Sequence, residues 1–107
     1  MARAIINVPA TAKRGEVIEI RTLIGHPMET GYRPGSDGQI MARDIIQRFT
    51  CRYNGEVIFA AELFPAIAAN PYIAFHTTAT DSGALTFTWE GDRGFAQTET
   101  ATIQVTG

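Results

Sequence analysis

The chain has 107 residues, 45% of them hydrophobic, and carries nine Lys or Arg against eleven Asp or Glu. This length and composition fit one domain, residues 1–107, which can bury a core without metal or disulfide support. Balanced charge and scattered cations exclude a nucleic-acid site and a basic membrane surface. Because no apolar run reaches about 18 residues and no apolar leader follows Met1, the residues alone predict a soluble, cytoplasmic chain.

The first predicted strands lie in the opening quarter of the chain. Residues 4–8 predict a short strand. In residues 16–24, branched side chains at every second position from Ile18 to Ile24 oppose a glutamate and an arginine. This alternation is typical of a half-buried strand.

A second alternating run, residues 45–53, predicts the next strand. Phe49 and Cys51 lie on its inward face, and Gln47 breaks the pattern. The dipeptide Asn54-Gly55 follows and predicts a two-residue hairpin, because a type I′ turn needs positive φ at both central residues.

The remaining strands are predicted at residues 56–63, 72–80, 84–90 and 95–105, with Trp89 on an inward row. The turns at 81–83 and 91–94 both predict hairpins. No convincing helix is seen. About seven short strands therefore predict an all-β fold, an immunoglobulin-like antiparallel β-sandwich.

Two segments do not fit the strand pattern. Residues 25–43 form a predicted loop of nineteen residues, longer than the roughly 12 to 15 that compact domains usually leave without regular structure. Its Gly-rich part, residues 31–38, lacks the lysine of a phosphate-binding loop and predicts a tip of turns or a docking loop. Pro65 and Pro71 frame the second segment. Both segments are candidate partner surfaces.

Chemical groups for catalysis are few. The single cysteine, Cys51, excludes an intrachain disulfide, and its inward position predicts an inert thiol. His76 is expected to be solvated on a strand. His26 lies at the mouth of the long loop, where it either stabilises a turn or has a direct role. With no copper or zinc spacing, no cofactor motif and no nucleophile-base pair, we predict no catalytic, cofactor or metal site and no enzyme.

Three short motifs resemble a known family. They are His26-Pro27-Met28-Glu29-Thr30-Gly31, the run RDIIQRFTCRYNG from Arg43 to Gly55, and Ala69-Asn70-Pro71-Tyr72. Together they resemble SoxZ, the small subunit of the SoxYZ carrier complex of bacterial sulfur oxidation. The likeness covers nearly the whole chain.

The resemblance implies a non-catalytic subunit in thiosulfate oxidation. In this family SoxY is the partner, in a heterodimer or higher assembly, and its C-terminal cysteine arm carries the covalent sulfur substrate. Other Sox enzymes make transient contacts. This chain ends at Gly107 without such an arm. The resemblance also implies a periplasmic location, with export together with SoxY, against the cytoplasmic default. From the residues alone, the alternative is a generic immunoglobulin-like interaction module with an unknown partner.

The predicted SoxY interface consists of the residues that combine the unusual segments with the motifs. They are His26, Pro27, Met28, Glu29, Thr30, Gly31, Arg43, Asp44, Arg48, Asn70, Pro71 and Tyr72. Met28 and Tyr72 are expected to be exposed anchors. Without SoxY, the uncovered apolar surface is expected to make the chain self-associate.

Overall fold

A computed structural model describes residues 2–107 and contains eight β-strands. They are β1 (Ala4–Asn7), β2 (Thr11–Lys13), β3 (Val17–Ile24), β4 (Ile46–Tyr53), β5 (Glu56–Glu62), β6 (Tyr72–Thr78), β7 (Gly83–Gly91) and β8 (Ala96–Thr106). A 3₁₀ turn, Asp92–Gly94, joins β7 to β8. The predicted all-β, immunoglobulin-like sandwich is confirmed. Within residues 2–107, no helix has the length and apolar character to span a bilayer.

The strands form a three-stranded sheet, in the order β1-β3-β6, and a five-stranded sheet, in the order β2-β8-β7-β4-β5. The pairs are antiparallel except β2 with β8, which is parallel. Strand β2 was not predicted, because three residues are too few to show alternation and the flanking Pro9 and Gly15 are typical of turns. This short strand covers the outer edge of β8.

The predicted hairpin at residues 81–83 is wrong. Strands β6 and β7 belong to different sheets, so this turn carries the chain across the sandwich. The Tyr53 hydroxyl stabilises this turn, because it donates to the carbonyl of Asp81 and accepts the Thr80 N–H at 3.3 Å. A turn signal specifies a bend, but the strands that pair on either side depend on where their apolar faces can be buried.

The other two hairpins are confirmed. Strands β4 and β5 are joined by Asn54 and Gly55, whose φ values of 49° and 86° are those that a type I′ turn requires. Strands β7 and β8 pair along their length, from Gly83 opposite Ile103 to Glu90 opposite Ala96. Strand β4 therefore lies between β5 and β7, inside the five-stranded sheet.

The core is an aromatic cluster centred on Phe49 of β4. Its ring centroid lies 5.3 Å from that of Trp89 and 6.3 Å from that of Phe87, both on β7. It also lies 6.3 Å from Phe75 on β6, which belongs to the opposite sheet. Phe75 in turn stacks on Phe59 of β5, with 4.4 Å between centroids. These contacts join the two sheets, and the predicted burial of Trp89 is confirmed.

A β-bulge between Ile46 and Arg48 explains why Gln47 breaks the predicted alternation. The bulge lets Ile45 and Ile46 both enter the core while Gln47 stays exposed. The backbone of Gly91 on β7 approaches this region so closely that an added Cβ would lie 2.4 Å from the Ile45 carbonyl oxygen. Only glycine fits there without displacement of the backbone.

We therefore expect Gly91→Ala to lower the free energy of unfolding by about 1–3 kcal/mol, because the new methyl group overpacks against the backbone. Gly25→Ala is the matched control, since its Cβ would meet nothing closer than the Arg3 carbonyl oxygen at 3.5 Å. Urea unfolding followed by Trp89 emission measures both. If the two variants have the same free energy of unfolding, the predicted overpacking at position 91 is contradicted.

Candidate functional site

The long loop between β3 and β4 is a ribbon paired with itself. The Glu29 N–H donates to the Asp44 carbonyl at 2.8 Å, and the Asp44 N–H donates back to the Glu29 carbonyl at 2.9 Å. Nearer the tip, Pro34 is bridged to Ile40. The predicted loop is thus confirmed in position, but its backbone is internally hydrogen-bonded. Its tip exposes Tyr32 and Ile40 to solvent.

His26 lies buried where this ribbon meets the sandwich, a region that we call the ribbon base. Its Nδ1 accepts the Met28 N–H at 3.0 Å, so the ring proton belongs on Nε2, which faces Asp44 Oδ1 at 3.6 Å. The ring packs edge-on against Phe95, with 5.1 Å between centroids. These contacts show that His26 stabilises the turn, which is one of the two alternatives that the sequence left open; a direct role stays a prediction.

Asn70 connects the segment between β5 and β6 to the ribbon base by hydrogen bonds. Its Oδ1 accepts the His26 N–H at 3.0 Å, and its own N–H donates to the His26 carbonyl at 2.8 Å. Asn70 adopts a positive φ of 56°, which asparagine tolerates better than most residues. The next residue, Pro71, is buried, and its carbonyl accepts the Ile24 N–H at 3.2 Å. The motif residues of two distant segments thus meet.

Asp92, in the turn after β7, holds the other side of the ribbon base. Its carboxylate accepts two bonds from the Arg43 guanidinium, at 2.8 and 2.9 Å. It also accepts the Ile45 N–H at 3.1 Å and the Gln47 side-chain amide at 2.6 Å. The Arg43 guanidinium and then the Ile45 N–H hold the pKa of Asp92 below its usual value.

Two adjoining grooves run along β4 and β5. The larger has a volume of about 490 Å³ and is lined by Arg43, Gln47, Arg48, Leu63, Phe64 and Gly91, among others. The smaller, of about 300 Å³, is floored by Thr50 and small side chains of β5. Arg48 and Glu62 line both grooves. The concave surface therefore begins at the ribbon base and continues onto the outer face of the five-stranded sheet.

The structure divides the twelve predicted interface residues by exposure. Buried are His26, Met28 and Pro71; intermediate are Glu29, Thr30, Gly31 and Asp44; exposed are Pro27, Arg43, Arg48, Asn70 and Tyr72. Most of the set is brought together at the ribbon base. Whether the exposed members contact a partner stays a prediction.

The prediction that Met28 is a surface anchor is wrong. Its side chain is only 4% exposed, and its Sδ accepts the Ile46 N–H at 3.2 Å. Tyr72 is 60% exposed, but it lies on the outer face of the three-stranded sheet, whereas Arg48 projects from the opposite face of the sandwich. One flat partner surface cannot cover both. Alternation reveals the two sides of a strand but cannot say how a loop residue folds back onto the core.

Cys51 lies in β4 with its side chain fully buried, as predicted. Burial raises the pKa of its thiol to about 12, so the thiolate is scarce at neutral pH. Among residues 2–107, no group of three His, Cys, Asp or Glu side chains is placed to hold a metal ion. His76 is exposed on β6, as predicted.

Sequence reasoning missed the role of Asp92 and the threonine-rich outer face of the five-stranded sheet. Asp92 was assigned only to a turn, because its partners Arg43 and Gln47 are more than forty residues away in the chain. The threonines at alternate positions of β7 and β8 were available as a signal. Their shared face is visible in the pairs Thr86 with Thr100 and Thr88 with Thr98.

Comparisons with known proteins identify a family and several similar folds. Residues 6–102 match the family described as Sulphur oxidation protein SoxZ. No curated protein sequence matches the chain. The fold is similar to a superoxide reductase (neelaredoxin) from Ignicoccus hospitalis, with a TM-score of 0.71 and 14% identity over 97% of this chain and 81% of that chain.

The fold is also similar to the sulfur carrier protein SoxY from Chlorobium limicola f thiosulfatophilum. The TM-score is 0.66, with 11% identity over 97% of this chain and 79% of that chain. A superoxide reductase (neelaredoxin) from Archaeoglobus fulgidus has a TM-score of 0.55 and 18% identity over 94% of this chain and 86% of that chain. At these identities the likeness shows a shared fold alone.

We expect Asp92→Asn to destabilise the chain at neutral pH, because the variant loses the charge that Arg43 and the Ile45 N–H stabilise. The folded-state pKa of Asp92 is lowered, so this contribution is present above the unfolded-state value of about 3.9. It is lost as the pH falls through the folded-state pKa. Wild type and variant should therefore converge in acid.

Urea unfolding at neutral and acidic pH measures this difference. Glu56→Gln is the matched control, since Glu56 is exposed at the start of β5 and no ion pair or side-chain hydrogen bond of residues 2–107 involves it. A difference for Asp92→Asn that persists unchanged in acid would contradict the electrostatic origin.

Proposed function

Because the chain belongs to the SoxZ family of sulfur-oxidation proteins, we propose that it is the non-catalytic subunit of a SoxYZ sulfur-carrier complex in thiosulfate oxidation. It holds SoxY, whose C-terminal cysteine arm carries the covalent sulfur substrate. The family match over residues 6–102 is the observation that carries this proposal. The complex acts in the periplasm, after export together with SoxY, and makes transient contacts with other Sox enzymes.

The position of Cys51 supports this division of labour. A carrier thiol must ionise to react and must reach the active sites of several enzymes. Cys51 is the one cysteine of the chain. Its side chain is enclosed mid-strand in β4, and burial raises its pKa to about 12. A buried thiol with a raised pKa therefore supports the proposal that the sulfur substrate is carried by the partner.

The ribbon base supports a partner-holding role because its buried residues fix the exposed ones. The hydrogen bonds among His26, Met28 and Asn70 set the path of the ribbon. The Arg43–Asp92 pair aligns the rim of the larger groove, where Phe64 is 61% exposed. Aromatic side chains are enriched at the cores of protein interfaces, so an exposed Phe64 beside a groove supports a partner contact there.

Co-expression with SoxY of the same organism tests the proposal. We expect a tag on SoxY to retain this chain, and native mass spectrometry to show a SoxYZ assembly. After incubation with thiosulfate and the other Sox enzymes, intact masses should show the sulfur adduct on SoxY and an unmodified mass for this chain. A sulfur adduct on this chain, or failure to associate with SoxY, would refute it.

Cys51→Ser separates a structural from a chemical role of the thiol. We expect the substitution to lower the free energy of unfolding by about 1–3 kcal/mol, because a hydroxyl without a partner is buried in an apolar site. The reconstituted complex should still load sulfur onto SoxY at the wild-type level. Loss of loading in a folded complex would assign chemistry to Cys51.

A further inference from the structure

Strand β6 lies at the end of the three-stranded sheet and has a neighbouring strand on one side only. On that side it pairs with β3 along its whole length without a register shift. Ile73 and Thr77 point toward the core, yet both stay partly exposed, whereas an inward residue of the central strand β3, Ile20, is fully buried. The other edge of β6 is therefore open to solvent.

The backbone groups on this open edge belong to four alternate residues. In an antiparallel ladder, successive residues direct their N–H and C=O groups to opposite sides of the strand. The Pro71 carbonyl accepts the Ile24 N–H, and the Ala79 N–H donates to the Glu16 carbonyl, so the odd-numbered residues face β3. Within residues 2–107, no backbone group outside the strands bonds to the even-numbered residues of β6. The residues that direct both groups away from β3 are thus Tyr72, Ala74, His76 and Thr78.

The three other end strands carry features that protect a sheet edge from pairing with another strand. Strands β1 and β2 have only four and three residues. Strand β5 is longer, but a β-bulge leaves Ile58 without a partner on β4, and a glutamate stands at each of its ends. Short length, bulges and charges are the usual protections of edges. Strand β6 has none of them, because its seven residues, YIAFHTT, include no proline, lysine, arginine or carboxylate.

An antiparallel copy of β6 fits this edge, because the four free residues are symmetric about Phe75. A two-fold axis at Phe75 places Tyr72 opposite Thr78 of the second copy. The same axis places Ala74 opposite His76 of the second copy. Each of these pairs exchanges both of its N–H···O bonds, which gives about eight bonds over the ladder. Symmetry alone therefore satisfies every free backbone group of the edge.

The same register also suits the side chains. On the inner side, Ile73 meets Thr77 of the second copy, so each covers a side chain that the single chain leaves partly exposed. On the outer side, Tyr72, which is 60% exposed, meets a threonine, and no two like charges are opposed. One strand edge buries less than the roughly 800 Å² that each partner contributes to a standard interface. The contact should therefore be reversible on dilution.

We propose that β6 pairs antiparallel with β6 of a second copy of this chain and joins the two three-stranded sheets into one continuous sheet. This inference goes beyond the proposed function and does not rest on it, because it uses only the edge of this chain. In a carrier complex, the same pairing brings two complexes together.

Sedimentation over a concentration series tests the inference, and the wild type should show a monomer–dimer equilibrium. Ala74→Pro removes a free N–H without breaking a bond to β3. It should raise the dimer Kd about tenfold or more, because the dimer loses two hydrogen bonds, one for each copy. Circular dichroism and Trp89 emission check that the variant folds.

Ala60→Pro is the matched control. Ala60 is exposed on β5, and the bond from the Leu63 N–H to the Gln47 carbonyl places the Ala60 N–H on the outer edge of that strand. The control therefore makes the same change at the other long edge of the sandwich. It should change the dimer Kd less than about twofold, as expected of a site outside the interface.

Hydrogen exchange of the wild type gives a readout that needs no substitution. The N–H groups of Ala74 and His76 should exchange slowly at high protein concentration and rapidly on dilution. The Ala60 N–H should exchange rapidly at both concentrations. Protection confined to β6 locates the contact even if Ala74→Pro does not fold.

Three outcomes overturn the inference: a wild type that stays monomeric at every concentration, a dimer that Ala74→Pro leaves intact, and protection of β6 that appears only after SoxY is added. The last would show that SoxY covers this edge. A monomeric chain that binds SoxY leaves the proposed function standing. A β6-paired dimer that does not bind SoxY supports the inference and refutes the proposed function.

Discussion

The burial of Phe49 is the contact on which the architecture depends. Its ring touches aromatic side chains of both sheets, so it sets their separation and fixes the register of β4. Because side chains alternate along a strand, an inward Phe49 makes Arg48 and Thr50 project outward. The same alternation turns Cys51 inward and Arg52 outward. A one-residue slip would put the thiol in solvent and two arginines in the core.

A second constraint acts at the start of β4, before regular alternation begins. The bulge after Ile46, the close approach of Gly91 and the Asp92 carboxylate together determine how the ribbon leaves the sandwich. Arg43 and the Ile45 N–H are both held by that one carboxylate. The ribbon base is thus stabilised by polar contacts and by small residues, while the sandwich beneath it is stabilised by aromatic packing.

The chain belongs to a family of sulfur-oxidation proteins, and its one cysteine is buried rather than exposed. Burial in the core shields the Cys51 thiol from solvent and raises its pKa. The exterior offers two adjoining grooves and a paired ribbon. A shared fold with SoxY does not imply a shared chemistry, because function resides in particular residues placed on a fold. Here the one thiol of the chain is placed in the core.

Most of the strands could be predicted from the sequence, because they depend on residues that are neighbours in the chain. The alternation of β3 and the inward position of Phe49 are visible as a period of two. The Asn54-Gly55 turn is visible as a dipeptide signal. Motif residues likewise marked the family. What could not be predicted depends on contacts distant in sequence. The Met28 side chain is buried in the core, and the turn at 81–83 connects strands of different sheets. The Asp92 carboxylate pairs with Arg43, which is distant in the chain. Their partners are chosen by the packed fold, since burial of apolar faces decides which segments meet.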